Sequence, residues 1–279
     1  MNSAKHQFRY LRLWLYPLLA FSLLALIASV IPETPVKERA GAGVDLADKE
    51  LRRMNYPKAD SLYTSELRKN PGNAELCWKL ARLEVSRGES VSFENADAAL
   101  QHYRKAAEYA RTSISLDSTN SKGYTWLAAS LGIMADKIGT KEKLNRANEI
   151  KRELDTALRH NPNDETALSL LGSYYREAAN IGWFNRVLAS TFIGHVPKGN
   201  YELAEKAFRK AMSLDPEIIR NYHELALICI EKGNREEALH LMKIAVEKPV
   251  LFASDKRRIE KMRALLKKYS PAQPSTLSL

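Results

Sequence analysis

The chain has 279 residues, enough for one large domain or two small ones, and its 45% apolar and 27% charged residues are ordinary for a globular protein. The net charge of +10 lies mostly at the ends: residues 1–40 have five Lys or Arg against two Glu (+3), residues 255–279 have seven against two acids (+5), and +2 remains for 41–254. A nucleic-acid-binding protein normally concentrates its cations on the folded body, so the charge argues against that class and favours an anionic lipid or an acidic partner.

The first predicted element is a membrane anchor at residues 13–31. A basic flank, 1–12, precedes this run, which contains no charged residue and is long enough to span a hydrocarbon core of about 30 Å. A cleaved signal peptide is the alternative, but its apolar region is usually about 7–15 residues and ends at a small-x-small site, which this run lacks. We therefore expect a single-pass membrane protein with a linker at 32–42.

The charges that flank the anchor predict its orientation. Three cations precede the run and two, Lys37 and Arg39, follow it directly, which favours a cytoplasmic N-terminus. The expected location is the inner membrane with a periplasmic domain for a bacterial protein. For a eukaryotic protein it is an organelle membrane with the domain facing the cytosol.

Residues 43–269 are predicted to form an all-α, tetratricopeptide-like solenoid of five helix pairs and a C-terminal capping helix. The clearest repeat has Ala204, Phe208, Ala211 and Pro216 at spacings of 4, 3 and 5. Small residues let two helices approach closely, Phe fills the gap between them, and Pro ends the second helix. The pattern recurs along the chain and predicts helix pairs at 43–71, 74–118, 121–162, 165–216 and 219–248.

The predicted capping helix begins near Asp255 and is followed by a loose tail at 270–279. Ile259 and Met262 lie on one helical face, and cations surround the rest of the helix. We expect these cations to attract an anionic membrane or an acidic partner. The predicted basic surface consists of Lys256, Arg257, Lys261 and Lys268.

Three helix pairs exceed the 34-residue period of a tetratricopeptide repeat. The additional residues lie near 89–102, 136–149 and 180–199, and the last segment places large apolar side chains on one helical stripe. This segment either extends the preceding helix and packs on the repeats, or covers a ligand groove as a lid. The predicted lid residues are Trp183, Phe184, Phe192 and Ile193.

The positions of these insertions resemble those in the regulator of microtubule dynamics protein family. The resemblance covers roughly residues 74–250, and its more specific parts are the GTKEK sequence at 139–143 and the segment 183–194. It implies a tetratricopeptide fold, and several members have an N-terminal membrane anchor. Eukaryotic members are associated with microtubules or organelle contact sites, and one has a repeat domain that binds phospholipid. The charges around the anchor suit a bacterial relative equally well.

No catalytic pattern is present in the sequence. It contains no HExxH, GxSxG, GxxxxGK[ST] or GxGxxG motif, and its six His residues form no i,i+4 pair. Cys77 and Cys229 form no CxxC pair and fall on apolar helix faces, so we expect them to be buried hydrophobic residues. We expect no enzyme activity, no cofactor and no metal site.

With no catalytic pattern, the function we expect is binding on the concave surface of the solenoid. The exposed side of the first helix of each pair should line that surface. The residues there mix apolar groups with Arg, which suits an amphipathic anion. Two functions stay open: a scaffold that binds a protein or peptide partner in an open groove, and a lipid-binding or lipid-transfer module with 180–199 over a closed, apolar tunnel. The predicted groove residues are Trp78, Arg82, Val85, Arg176, Arg220, His223, Leu227 and Ile230.

Overall fold

The structure is a computed structural model that describes residues 41–92, 94–180 and 200–269. Every regular element in these ranges is an α-helix. The helices are α1 (Ala42–Arg52), α2 (Tyr56–Lys69), α3 (Ala74–Val91), α4 (Ala96–Leu116), α5 (Ser121–Ile138), α6 (Thr140–His160), α7 (Glu165–Ala179), α8 (Tyr201–Leu214), α9 (Ile219–Glu231), α10 (Arg235–Val246) and α11 (Ala253–Tyr269).

Short turns that carry an Asn or Asp separate most of these helices and set where the next helix begins. The side chains of Asn73, Asn95 and Asn200 each accept a hydrogen bond from the backbone N–H three residues later, at the starts of α3, α4 and α8. Such a cap satisfies one of the N–H groups that a helix leaves without an intrahelical partner. The polar turns therefore define the helix pairs, whose ends agree with the five predicted ranges to within two residues.

In two of the helix pairs a large side chain faces a glycine on the partner helix. Phe208 of α8 is fully buried, and a Cβ on Gly172 of α7 would lie 2.8 Å from its Cε1 atom. Tyr103 of α4 faces Gly88 of α3 in the same way. A glycine on one helix and an aromatic ring on the other thus mark where these paired helices meet most closely.

Two of the three predicted insertions are absorbed as longer helices. The helices α3 and α4 have 18 and 21 residues, and α5 and α6 also have 18 and 21, whereas α9 and α10 have only 13 and 12. Gly139 alone separates α5 from α6, with a φ of +127° that side-chain-bearing residues rarely adopt. The third insertion lies almost entirely at 181–199, outside the described residues.

Each end of the helix array has its own apolar core cluster. Tyr63, Leu80 and Leu83 belong to the cluster of α1–α3, while Ile259 and Met262 of α11 pack with Tyr222 and its neighbours on α9 and α10. The helix α11 therefore covers the last repeat, as expected for a cap.

Several predicted segments lie outside the described residues: the flank 1–12, the anchor 13–31, most of the linker 32–42 and the tail 270–279. Among the residues that are described, none of the helices combines the length and apolar character needed to cross a bilayer.

Candidate functional site

A cavity of about 740 Å³ lies on the inner side of the helix array. Its lining comes mainly from α3, α5 and α7, the first helices of three successive pairs, with further residues from α6 and α9. Phe252 and Arg258 add side chains from the C-terminal end. Because the first helices of stacked pairs form the concave face of a solenoid, we assign the cavity to the concave face of this protein.

The C-terminal segment crosses the concave side and contacts α3. Ser254 Oγ donates a hydrogen bond of 2.8 Å to Glu89 Oε2, although the two residues are 165 positions apart. An Arg220 nitrogen lies 3.8 Å from the same carboxylate, and the Arg82 guanidinium carbon lies 5.9 Å from the centre of the Phe252 ring. We call this set of contacts the α3–α11 seam. It joins the second helix pair to the C-terminal cap.

Most charged groups in the cavity are paired. Arg176 Nε lies 2.6 Å from Glu224 Oε2, and Lys122 Nζ donates to Glu165 at 2.8 Å. Burial by itself raises the pKa of Glu224, but the hydrogen bond with His223 and the charge of Arg176 outweigh it and lower the pKa to about 2. Glu224 is thus ionised at neutral pH, and its carboxylate contacts His223 and Arg176.

Arg82 differs from the other cavity cations. Its Nε atom is inaccessible to solvent and has no hydrogen-bond partner among the described residues. Burial lowers the pKa of Arg82, and the interactions with Tyr63 and with the carboxylates of Asp48 and Glu165 oppose this only in part. Arg82 therefore contributes to the cavity wall a cation whose Nε donor has no acceptor among the described residues.

Five of the eight predicted groove residues line the cavity, namely Trp78, Arg82, Val85, Arg176 and Arg220. The other three are His223, Leu227 and Ile230 of α9, and they do not. His223 is buried and its Nδ1 contacts Glu224, and Ile230 packs into the C-terminal apolar cluster. Leu227 is half-buried beyond the cavity. The reason is that α10 and α11 pack against α9, so that only the side of α9 with Arg220 and Glu224 reaches the concave face.

The lining residues that were not predicted include Trp126, Phe252 and Arg258. Trp126 is 7% exposed and packs with Val85 in the core, so the repeat pattern assigns it to packing alone. Phe252 and Arg258 follow the last repeat, and only the seam brings them to the cavity. No local pattern in the sequence signals that long-range contact.

The predicted lid residues, Trp183, Phe184, Phe192 and Ile193, lie outside the described residues. The predicted basic surface is exposed along α11, opposite the buried face of Ile259 and Met262. It lies outside the cavity lining.

Neither cysteine is placed for chemistry. Cys77 and Cys229 are free and buried, and burial raises the pKa of each thiol, that of Cys229 to about 11. Both are therefore protonated at neutral pH and behave as small apolar groups. In the part of the chain that is described, no cluster of three His, Cys, Asp or Glu could hold a metal ion.

The helix array is similar to solved tetratricopeptide structures. A thermophilic TPR protein of Thermus thermophilus superposes with a TM-score of 0.55 at 18% identity, covering 80% of this chain and 97% of that one. This likeness confirms the predicted all-α, tetratricopeptide-like fold.

Sequence comparison identifies relatives with one shared name. Regulator of microtubule dynamics protein 1 of Caenorhabditis elegans is 27% identical over 226 residues, 77% of this chain and 99% of that protein. The protein of the same name from Bos taurus is 26% identical over 203 residues, 72% of this chain but only 64% of the bovine protein. The model of the family described as Regulator of microtubule dynamics protein 1-3 matches residues 44–270. Since that match covers most of the 279 residues, the chain belongs to the regulator of microtubule dynamics protein family, as the insertions in its sequence predicted.

Proposed function

We propose that this protein is a non-enzymatic scaffold that binds a short extended segment of a partner protein in its concave cavity. The observation that carries the proposal is the cavity itself. Its volume of about 740 Å³ lies within the range of about 300–1,000 Å³ typical of ligand sites. Apolar groups such as Ile133 and Leu170 share the lining with cations, as an amphipathic segment requires.

A cavity-filling variant tests this proposal. Gly132 lines the cavity, and a Cβ there would meet only Ile150 Cδ1, at an ordinary 3.9 Å. Gly132→Leu should therefore occupy part of the cavity without displacing the helices. Gly72→Leu is the matched control, because Gly72 is exposed in a turn and a Cβ there meets nothing within 4 Å.

The measurement is capture of peptides from a synthetic random 12-residue library by the immobilised full-length protein. We expect the wild type and Gly72→Leu to retain the same set of peptides and Gly132→Leu to lose most of it. Equal retention by all three proteins would place peptide binding outside the cavity.

Lipid binding or transfer, with 180–199 as a lid, is the second candidate. The observation that favours it is the α3–α11 seam, which places the C-terminal segment across the concave side. A cavity that is partly covered in this way would shield a bound acyl chain from water. The test is native mass spectrometry after incubation with phosphatidic acid vesicles. A lid role predicts that Trp183→Ala with Phe192→Ala abolishes retained lipid while the melting temperature stays near wild type. Unchanged lipid retention would contradict it.

We further propose that residues 13–31 hold the scaffold at a membrane. The support is the uncharged length of this run and the absence of a cleavage site. Carbonate extraction should leave the protein in the membrane pellet, and N-terminal sequencing should find an intact start. A mature N-terminus near residues 29–33 would show a cleaved signal peptide instead.

The relatives are named as regulators of microtubule dynamics, and we propose the same role for this chain in a eukaryotic host. Co-sedimentation with polymerised tubulin tests it directly. A protein that stays in the supernatant at all tubulin concentrations would not share this role through direct binding.

A further inference from the structure

A short segment of the chain itself already lies against one end of the cavity. This segment, called the strap here, comprises residues 249–254, Pro-Val-Leu-Phe-Ala-Ser; its first four residues are not helical and the last two begin α11. The Phe252 ring lines the cavity, with its centre 5.9 Å from the guanidinium carbon of Arg82. Two residues later, Ser254 Oγ donates to Glu89 Oε2 at 2.8 Å. The strap therefore contacts α3 through one aromatic ring and one hydroxyl.

The shape of the strap is maintained from its own side, not from α3. The buried Asp255 carboxylate accepts hydrogen bonds from the backbone N–H groups of Leu251 and Phe252, at 3.3 and 3.0 Å. Arg258 pairs with the same carboxylate at 3.1 Å, and Val250 packs against the C-terminal apolar cluster. Separating the strap from α3 would therefore break contacts of the α3–α11 seam and leave this turn intact.

The wall that the strap covers needs a replacement when the strap leaves. The Glu89 side chain is only 11% exposed, and among the described residues Ser254 is the one hydrogen-bond donor to its carboxylate. The nitrogen of Arg220 lies 3.8 Å away, beyond hydrogen-bond distance. A buried carboxylate that loses its donor is costly, and the Arg82 guanidinium is of a type that stacks well on an aromatic face. An incoming segment with the same two groups would satisfy both residues.

We propose that the strap is an intramolecular ligand of the concave cavity, and that a partner displaces it with an extended segment of the same pattern. The partner segment carries an aromatic residue, which takes the place of Phe252 beside Arg82. It carries Ser or Thr two positions later, which donates to Glu89. This inference names the partner class of the proposed peptide-binding function and rests on it. Because a tethered segment competes at a high effective concentration, the intact chain binds such a partner weakly until the strap is released.

The test measures fluorescence anisotropy of a fluorescein-labelled peptide with the strap sequence, Pro-Val-Leu-Phe-Ala-Ser, added to the full chain. The control peptide has Ala in place of Phe and Ser. The released variant combines Phe252→Ala with Ser254→Ala, which removes both competing groups. We expect the released variant to bind the strap peptide on the order of tenfold more tightly than the wild type does. The control peptide should show no such gain.

Three further variants separate competition from general effects. Ser254→Ala alone keeps the Phe252 ring in place and should raise the affinity several-fold, which tests the idea even if the released variant is unstable. Adding Glu89→Ala to the released variant should remove most of the gain, because the peptide hydroxyl then lacks its acceptor. Arg263→Ala changes an exposed cation of α11 away from the strap and should leave the affinity at the wild-type value. Circular dichroism confirms that each variant is folded.

The outcomes separate this inference from the proposed function. Equal affinity of the strap peptide for the wild type, Ser254→Ala and the released variant overturns it, and so does a gain that persists after Glu89→Ala is added. If the strap peptide binds none of these proteins while library peptides are still retained by the wild type and lost from Gly132→Leu, the cavity binds peptides but the strap is not their competitor. Failure of both the strap peptide and the library to bind would overturn both proposals.

Discussion

At the scale of single residues, Gly172 sets how closely α7 and α8 approach. Because a Cβ at this position would lie 2.8 Å from Phe208 Cε1, and Phe208 is fully buried, Gly172→Leu must displace the ring or the helix. Overpacking of this kind costs about 1–3 kcal/mol, occasionally more. We expect a lower free energy of unfolding in urea by roughly that amount.

Gly132→Leu is the control for this substitution, since it makes the same chemical change within a helix that has room for it. Replacing a helical Gly usually gains about 0.5–1 kcal/mol, so this variant should be as stable as the wild type or more so. If the two variants unfold at the same urea concentration, α7 and α8 do not meet at Gly172.

At the scale of elements, the α3–α11 seam depends on few and mainly polar contacts. Glu89→Ala removes the acceptor for Ser254 and the charge facing Arg220. Loss of a hydrogen bond of this kind is worth on the order of 1 kcal/mol, so amide hydrogen exchange at the start of α11 should rise roughly fivefold. Exchange in α10 should not change, because α10 is held by the C-terminal apolar cluster.

Glu94→Ala serves as the comparison for Glu89→Ala, because Glu94 is an exposed acid only five residues further along the chain. Hydrogen exchange followed by mass spectrometry should show no effect of it on α11. Equal protection of α11 in all three proteins would mean that the seam is held by other contacts.

The basic face of α11 carries a separate prediction. Changing Lys256, Arg257, Lys261 and Lys268 together to Gln should reduce the preference for anionic over zwitterionic vesicles, because each cation near an anionic surface adds on the order of 1 kcal/mol. The melting temperature should be unaffected, since these side chains are exposed. A control variant with four exposed cations from other helices replaced by Gln should keep the preference; the four are Arg104, Arg111, Lys206 and Lys243. The same vesicle preference in both variants would leave the α11 charges without a role at membranes.

At the scale of the whole molecule, buried carboxylates link stability to pH. Burial tends to raise the pKa of Glu84, Asp164 and Glu224, but their hydrogen bonds and cationic neighbours outweigh it and lower all three pKa values, that of Glu224 to about 2. A carboxyl group with a lowered pKa in the folded state stabilises the fold above its unfolded pKa, and that stability is lost as the pH falls towards its folded pKa. The melting temperature should therefore decline as the pH drops from about 4.5 towards 2. A flat profile over this window would contradict these assignments. Glu84→Gln should weaken the dependence and lower stability at neutral pH.

The sequence predicts the helices and the repeat register well because both depend on local patterns. Asn73 and Asn95 cap the helices that begin directly after them. Gly172 and Phe208 lie on neighbouring helices and set how closely those helices approach. The cavity was predicted less completely, in part because some of its residues depend on the seam. Phe252 and Arg258 reach the cavity through contacts with a helix more than 150 residues earlier, and His223 is withdrawn from it by packing of α9.

The seam also has a consequence for how this architecture can evolve. An open solenoid gains or loses repeats at its ends with little penalty, because each repeat touches only its neighbours. Here Ser254 must meet Glu89 after a fixed number of helix pairs. Inserting or deleting one pair between them would carry the cap past α3 and separate the two. The repeat number is therefore constrained by closure, and variation in length is expected before α3 or after α11.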